Sequence, residues 1–271
     1  MPDPGPPPAA GQEAAADRDL LVAAAEAAGP IALSHFGRAV DVREKPDGAG
    51  PVSEADLAVD RALAERLAAA RPAYGWLSEE TADGPERLAR SRAFIVDPID
   101  GTRAFLAGEK GWALSLAVVE AGRVIAAAVH LPARAETYAA ALGAGATLNS
   151  APLQASGRTA TEGASLLAAR PSLEARHWPG GVPPLARSFR TSLAWRLCLA
   201  ASGRFDAMLT LRDTWEWDVA AGCLIASEAG LTVSDAAGGA PLFNRAPPRL
   251  PGIMAAPPAI HADLVARRSP R

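Results

Sequence analysis

The sequence predicts an α+β or layered α/β protein. Three observations carry that prediction. Two stretches with helically spaced apolar residues open the chain, and short apolar runs bounded by Gly, Pro and Asp follow them. Toward the carboxyl end, helix-like runs closed by glycine mix with further strand-like runs.

Taken in order, Leu20, Leu21, Ala24, Ala28 and Ile31 mark one face of a first helix ending near Gly37. A second helix is signalled by Ser53 as its N-cap, with Leu57, Val59, Leu63 and Leu67 behind it and Pro72 beyond its end. Residues 74–77 and 94–96 read as short buried strands. Residues 112–119 and 124–131 read as the arms of a hairpin turning at Glu120-Ala121-Gly122-Arg123, with 137–142 as the next strand. Residues 166–168 begin a second αβ stretch. Helices fit 192–202 and 219–229, closed by Gly203 and Gly230. Four prolines and two adjacent glycines make 171–184 a surface loop. Residues 1–12, with Pro2, Pro4, Pro6, Pro7 and Pro8, are expected to be a disordered leader. The remaining 13–271 form a single domain, an α+β half over about 13–150 and an α/β half over about 151–271.

Composition narrows the function classes. At 271 residues and 49% hydrophobic content the chain can bury a sizeable core, and a net charge of −3 gives no bulk attraction to a nucleic acid polymer. No run approaches the ~18 apolar residues of a membrane span, and the amino terminus lacks the basic start and apolar centre of an export signal, so the expected compartment is the cytoplasm. Cys198 and Cys223 are isolated and match no metal or redox spacing.

The most informative segment is Phe94-Ile95-Val96-Asp97-Pro98-Ile99-Asp100-Gly101-Thr102. An apolar strand runs directly into two carboxylates. Pro98 biases Asp97 toward extended backbone, so its carboxylate projects from the strand end. Gly101 permits a tight turn whose following amides could face an anion, and the Thr102 hydroxyl could hold a water there. Such an arrangement suits a hard cation with a phosphate beside it. Asp-Pro and Asp-Gly are also ordinary turn dipeptides. Further acids at element ends tip the balance: Ser78-Glu79-Glu80 after a strand, Asp56 near a helix start, and Asp218 at the head of another helix behind Trp215-Glu216-Trp217.

These residues resemble the inositol monophosphatase family of magnesium-dependent, lithium-sensitive phosphatases. The resemblance rests on Asp97-Pro98-Ile99-Asp100-Gly101-Thr102 and Trp217-Asp218-Val219-Ala220-Ala221-Gly222. Pro51-Val52-Ser53-Glu54-Ala55-Asp56, Ser78-Glu79-Glu80 and Gly143-Ala144-Gly145-Ala146-Thr147-Leu148-Asn149 support it. It implies a layered αβαβα sandwich. It also implies two to three Mg2+ ions and inhibition by Li+. Glu79, Asp97 and the Ile99 carbonyl would hold the first ion, and Asp97, Asp100 and Asp218 the second. Glu79 and the neighbourhood of Asp56 would support a weaker third. Thr102 and Asp56, with Glu79, would serve catalysis, and Gly101 and Thr102 would hold the phosphate. Ser192, Arg212 and Asp218 complete the expected substrate contacts. Asp56, Glu79, Asp97, Asp100 and Asp218 carry −5 between them. Like charges ~4 Å apart repel by ~4 kcal/mol at an effective dielectric of ~20, so the site requires cations before it can accept a phosphate. No histidine is needed: His35, His130, His177 and His261 lie outside the motifs and read as surface or packing residues.

For the substrate, a small phosphate ester, the resemblance leans to the bacterial 3'(2'),5'-bisphosphate nucleotidases, which convert adenosine 3',5'-bisphosphate to AMP. Ser192-Leu193-Ala194-Trp195-Arg196-Leu197-Cys198 looks closest to that type, with Arg212 on a second phosphate and Trp215 against a purine. Inositol phosphatases usually carry a glutamate where this chain has Thr210 or Leu211. Inositol-1-phosphate is the alternative, followed by histidinol phosphate and fructose 1,6-bisphosphate. A non-catalytic phosphate or nucleotide sensor is the alternative of another class. A homodimer is compatible with the family.

Overall fold

The computed structural model describes residues 10–38, 41–44 and 51–268. The first helix, α1 (Ala10–His35), begins earlier than its apolar spacing indicates. Residues 10–12 therefore belong to a helix rather than to a leader, while 1–9, like Lys45, lie outside the described residues. Polar tethers hold that early turn down. Glu13 pairs with Arg92 at 2.6 Å, and buried Asp17 accepts from Arg71 and from the Tyr74 hydroxyl, both at 2.9 Å.

Strands β1 (Val42–Glu44) and β2 (Pro51–Ser53) pair antiparallel and lead into α2 (Glu54–Ala70). Ser53 caps α2 as its sequence predicts. Its side chain accepts from the Asp56 amide while the Asp56 carboxylate accepts from the Ser53 amide, a reciprocal capping box. There follow β3 (Gly75–Ser78), β4 (Arg92–Asp100), the short α3 (Thr102–Leu106), β5 (Ala113–Glu120), β6 (Arg123–Leu131), β7 (Glu136–Ala141), β8 (Ala146–Leu148) and β9 (Ala151–Pro152). These strands form one sheet in chain order, antiparallel except for the parallel β3–β4 pair. The β5–β6 hairpin turns at the predicted place, with Ala121 at φ 47° and Gly122 at φ 78°. Two successive left-handed residues are what a tight hairpin turn requires.

The second half runs β10 (Ser165–Leu167), β11 (Ala186–Ser188), α4 (Leu193–Ala201), β12 (Ala207–Thr210), β13 (Thr214–Trp215), α5 (Glu216–Glu228), β14 (Thr232–Asp235), β15 (Arg249–Leu250), β16 (Ile253–Ala256) and α6 (Pro258–Arg268). A five-stranded mixed sheet has the order β11-β10-β12-β16-β14.

Strand alternation sorts the core into layers. On β4 and β5, Phe94, Val96, Leu114, Leu116 and Val118 pack on α1 and α2. Their neighbours Ala93, Ile95, Ala117 and Val119 face the opposite way, toward α4 and α5. The far side of those helices meets Leu167, Met208, Ile253 and Ala255 of the second sheet. The outer face of that sheet, including Leu166, Leu209 and Met254, is covered by Ile260 and Leu264 of α6. The layers are therefore α, β, α, β, α, as the family resemblance implies. Alternation also places Asp97 on the same side of β4 as Ile95, the side that α5 covers.

Candidate active site

Three elements deliver carboxylates to the edge of the first sheet. At the end of β4 the register against β5 shifts between Asp97 and Asp100, so the strand bulges where the two acids lie. Asp97 Oδ1 accepts from the Ile99 amide at 3.0 Å, which fixes the turn. The Glu79 amide donates to the Val96 carbonyl at 3.2 Å, bringing the end of β3 alongside. Ser115, paired with Asp97 across the ladder, donates to the Trp217 carbonyl at 3.1 Å and so ties β5 to the first turn of α5. As a result Asp97, Asp100 and Asp218 each offer an oxygen within 4.8 Å of the others.

Their protonation shows how costly this convergence is without cations. Burial pushes the Asp97 carboxyl well above the usual range, and the charges of Glu79, Asp100, Asp218 and Asp56 push it the same way. Burial raises Asp100 to about 6, opposed by the Ser192 hydroxyl, the Ala194 amide and the Arg196 charge. Burial and the charges of Asp100 and Glu79 raise Asp218 to about 8, opposed by Thr214 and Arg212. An all-oxygen, strongly anionic donor set of this kind fits a hard divalent cation.

Beside the acids lies a second group. The Thr102 hydroxyl donates toward Asp56 Oδ1 at 3.3 Å and the Ile99 carbonyl at 3.2 Å. Asp56 Oδ2 meanwhile accepts from the Ser53 amide at 2.9 Å, so one carboxylate both caps α2 and meets Thr102. Gly101 sits at φ 100°, and a Cβ there would lie 3.0 Å from the Gly111 carbonyl oxygen. Glycine is required on both counts.

A sequence model of the inositol monophosphatase family matches residues 15–270. This chain belongs to that family. The Rhizobium meliloti inositol-1-monophosphatase is 37% identical over 237 residues, 82% of this chain and 86% of its own length. A Streptomyces griseus protein named glucose-1-phosphate thymidylyltransferase is also 37% identical, over 84% of this chain and 90% of its own. The structure of the extragenic suppressor protein suhB from Bartonella henselae superposes with a TM-score of 0.79 at 30% identity, covering 94% of this chain and 98% of that one. As a member of the inositol monophosphatase family the chain is a metal-dependent phosphoric monoester hydrolase with the family's layered fold. The names of its relatives differ in the reaction, so the finer substrate has to be argued from the site.

Two sequence-based expectations change on the structure. Ser192 was expected at the substrate, yet it has no exposed surface. Its oxygen donates to Asp100 and accepts from the Trp195 amide, so it supports the carboxylate instead of touching a ligand. Trp215 was expected against a purine, but Trp217 stacks on it at 4.8 Å and Arg249 lies 3.8 Å from its ring centre, its cross-strand neighbour. Both faces are taken. The leaning toward a nucleotidase is accordingly not carried by Trp215. Arg212, by contrast, is exposed and near enough to Asp218 to pull its carboxyl down. Among the histidines, His130 bonds Thr137 and buried His261 bonds Ser234, both as packing residues.

Some supporting residues were not singled out in the sequence. Asp60, mostly buried on α2, accepts the Ser78 hydroxyl at 2.5 Å and the Thr81 hydroxyl at 2.8 Å, clamping both ends of the turn that carries Glu79 and Glu80. Its signal was present: an acid one helical turn after Asp56, on the face of α2 that carries Val59 and Leu63. Arg196, 5% exposed, donates to the carbonyls of Arg190 and Thr191 and so fixes the segment leading to Ser192. Among the described residues no helix is long and apolar enough to cross a membrane.

Proposed function

We propose that this protein is a magnesium-dependent hydrolase of a small phosphate monoester, with inositol-1-phosphate as the first substrate to test. The observation that carries the reading is the juxtaposition of the Asp97–Asp100–Asp218 trio with the Thr102–Asp56 pair. Glu79, Asp97, Asp100, Asp218 and the Ile99 carbonyl would hold the ions. Bound Mg2+ supplies charge neutralisation for the phosphoryl group and leaving oxygen, and lowers the pKa of water. Lithium inhibition follows from membership of the family.

Within that setting Thr102 holds the attacking water through its hydroxyl, and Asp56 takes the proton through Oδ1. The turn at Gly101 leaves the first amides of α3 free of intrahelical partners and available to phosphate oxygens. Ser192 and the Ala194 amide keep Asp100 in place and ionised.

The polyol ester comes first because a Trp215 enclosed by Trp217 and Arg249 offers no face to a purine. The name of the Rhizobium relative supports the same order. A second reading, adenosine 3',5'-bisphosphate, keeps one specific support: among the described residues Arg212 makes no hydrogen bond or ion pair, and it stands beside Asp218. Phosphate release from inositol-1-phosphate, adenosine 3',5'-bisphosphate, histidinol phosphate and fructose 1,6-bisphosphate, with Mg2+ and with chelator, tests both readings. Magnesium-dependent release is expected, strongest on inositol-1-phosphate. Normal turnover by Asp97→Asn, or turnover in excess chelator, overturns the metal assignment.

A further inference from the structure

Outside the acidic centre, a cavity of about 290 Å3 gathers positive charge. Lys110, Arg134 and Arg190 line it with the Thr191 side chain and the Trp195 ring, and Glu109 is its one acid. The three cations come from separate segments: the loop before β5, the turn between β6 and β7, and the approach to α4. A second depression of about 420 Å3 along the 132–135 turn shares Lys110 and Arg134, so these two stand on the wall between them.

Among the described residues only one of the three cations, Arg134, has a carboxylate partner. Trp195 is only 6% exposed and fixed in α4. The Arg134 guanidinium lies 4.8 Å from its ring centre and that of Arg190 lies 6.0 Å away. Arg190 also lies 5.5 Å from the Phe205 ring, so both guanidinium groups rest on aromatic rings beside the cavity. Among the described residues the Arg190 side chain donates only to its neighbour, the Phe189 carbonyl. Arg134 reaches Glu136 at 3.6 Å, but Glu136 is held closer by Arg204 at 3.0 Å and by the Tyr138 hydroxyl. Among the described residues Lys110 makes no hydrogen bond or ion pair.

The cavity also shares a wall with the acidic centre. The Thr191 hydroxyl donates to the Gly111 carbonyl, the oxygen against which Gly101 packs. The next residue, Ser192, holds Asp100.

We propose that Lys110, Arg134 and Arg190 form a phosphate-binding site separate from the acidic centre and independent of metal. Two guanidinium forks and an ammonium match the oxygens of a phosphate group. That group is either the distal phosphate of a bisphosphorylated substrate or free inorganic phosphate. The first source rests on the proposed hydrolase reading; the second does not.

The test is titration of the full chain with inorganic phosphate in excess chelator at constant ionic strength, followed calorimetrically. Under those conditions the clustered carboxylates repel phosphate, and binding reports this cavity. Saturable one-site binding is expected, weakened about tenfold or more in Lys110→Gln and in Arg190→Gln, which change exposed side chains. Arg134→Gln serves as an independent third variant. Asp97→Asn should not weaken it. No saturable binding, equal binding by all three cation variants, or loss of binding in Asp97→Asn overturns the proposal. With Mg2+ present, the ratio of kcat/KM on adenosine 3',5'-bisphosphate to that on inositol-1-phosphate separates the sources. A fall in the ratio in the Lys110→Gln/Arg190→Gln double variant assigns the site to a substrate's second phosphate. An unchanged ratio with lost phosphate binding assigns it to the free ion. The chelator titration stands even if no tested ester is hydrolysed.

Discussion

Asp100 Oδ2 receives two hydrogen bonds from the head of α4, the Ser192 hydroxyl at 2.6 Å and the Ala194 amide at 2.7 Å. The same Ser192 oxygen caps α4 through the Trp195 amide at 2.9 Å. The end of β4 and the start of α4 are thus fastened at one buried point. Among the described residues the other Asp100 oxygen is left unspent.

Ser192→Ala should therefore act on cation binding. Loss of a residue that orients a ligand costs on the order of 10- to 100-fold in metal affinity. The Mg2+ concentration for half-maximal activity should rise by that factor, with kcat at saturating Mg2+ little changed. A metal titration of activity checks this.

Thr102 and Asp56 make a different prediction. If Thr102 holds the water that Asp56 deprotonates, Thr102→Ala should lower kcat on the order of 100-fold with KM nearly constant. Thr102→Ser, which keeps the hydroxyl, should restore most of the rate. Steady-state kinetics on the best ester of the panel distinguish this from a loss of affinity.

Stability should depend on pH in opposite senses with and without cations. In chelator the folded carboxyls of Asp97, Asp100 and Asp218 titrate above their unfolded value near 3.8, with Asp100 near 6 and Asp218 near 8. The folded state then binds more protons than the unfolded state over about pH 4 to 8, so stability falls as pH rises through that window. Glu216, raised by burial to about 7, contributes the same sign whether or not metal is bound. Saturating Mg2+ replaces the protons, and binding strengthens as pH rises. The gap in Tm between the Mg2+ and chelator curves should widen from pH 5 to pH 8, as read by thermal melts.

Gly222 of α5 faces α4 so closely that a Cβ would lie 2.7 Å from the Leu197 Cβ. Gly222→Ala should overpack this contact at a cost of about 1–3 kcal/mol. For a chain of this size that lowers Tm by about 2–4 °C per kcal/mol. Pairing it with Leu197→Ala removes the Cδ1 contact at 2.6 Å but keeps the Cβ one, so only part of the loss should be recovered in a double-mutant cycle.

Local chemistry was legible in the sequence. Ser53 capped α2, the Ala121-Gly122 turn closed its hairpin, and the acids at the end of β4 stand where a strand meets a turn. What the sequence hid was whatever depends on a distant partner. Ser192 reads as a site hydroxyl until Asp100, far away in the chain, claims it. Trp215 reads as an open platform until β13 pairs with β15 and sets Arg249 over its ring. The early start of α1 depends on Arg71, Tyr74 and Arg92, which lie much later in the chain, so proline density dominated the local reading. Lys110, Arg134 and Arg190 carry no pattern at all along the chain.

The strand that brings Asp97 and Asp100 and the helix that brings Asp218 come from opposite halves of the polypeptide. An ion seated among them would act as a removable fastener joining those halves. Its departure would silence hydrolysis and loosen the molecule together. Protease resistance should therefore follow divalent-ion supply as closely as turnover does.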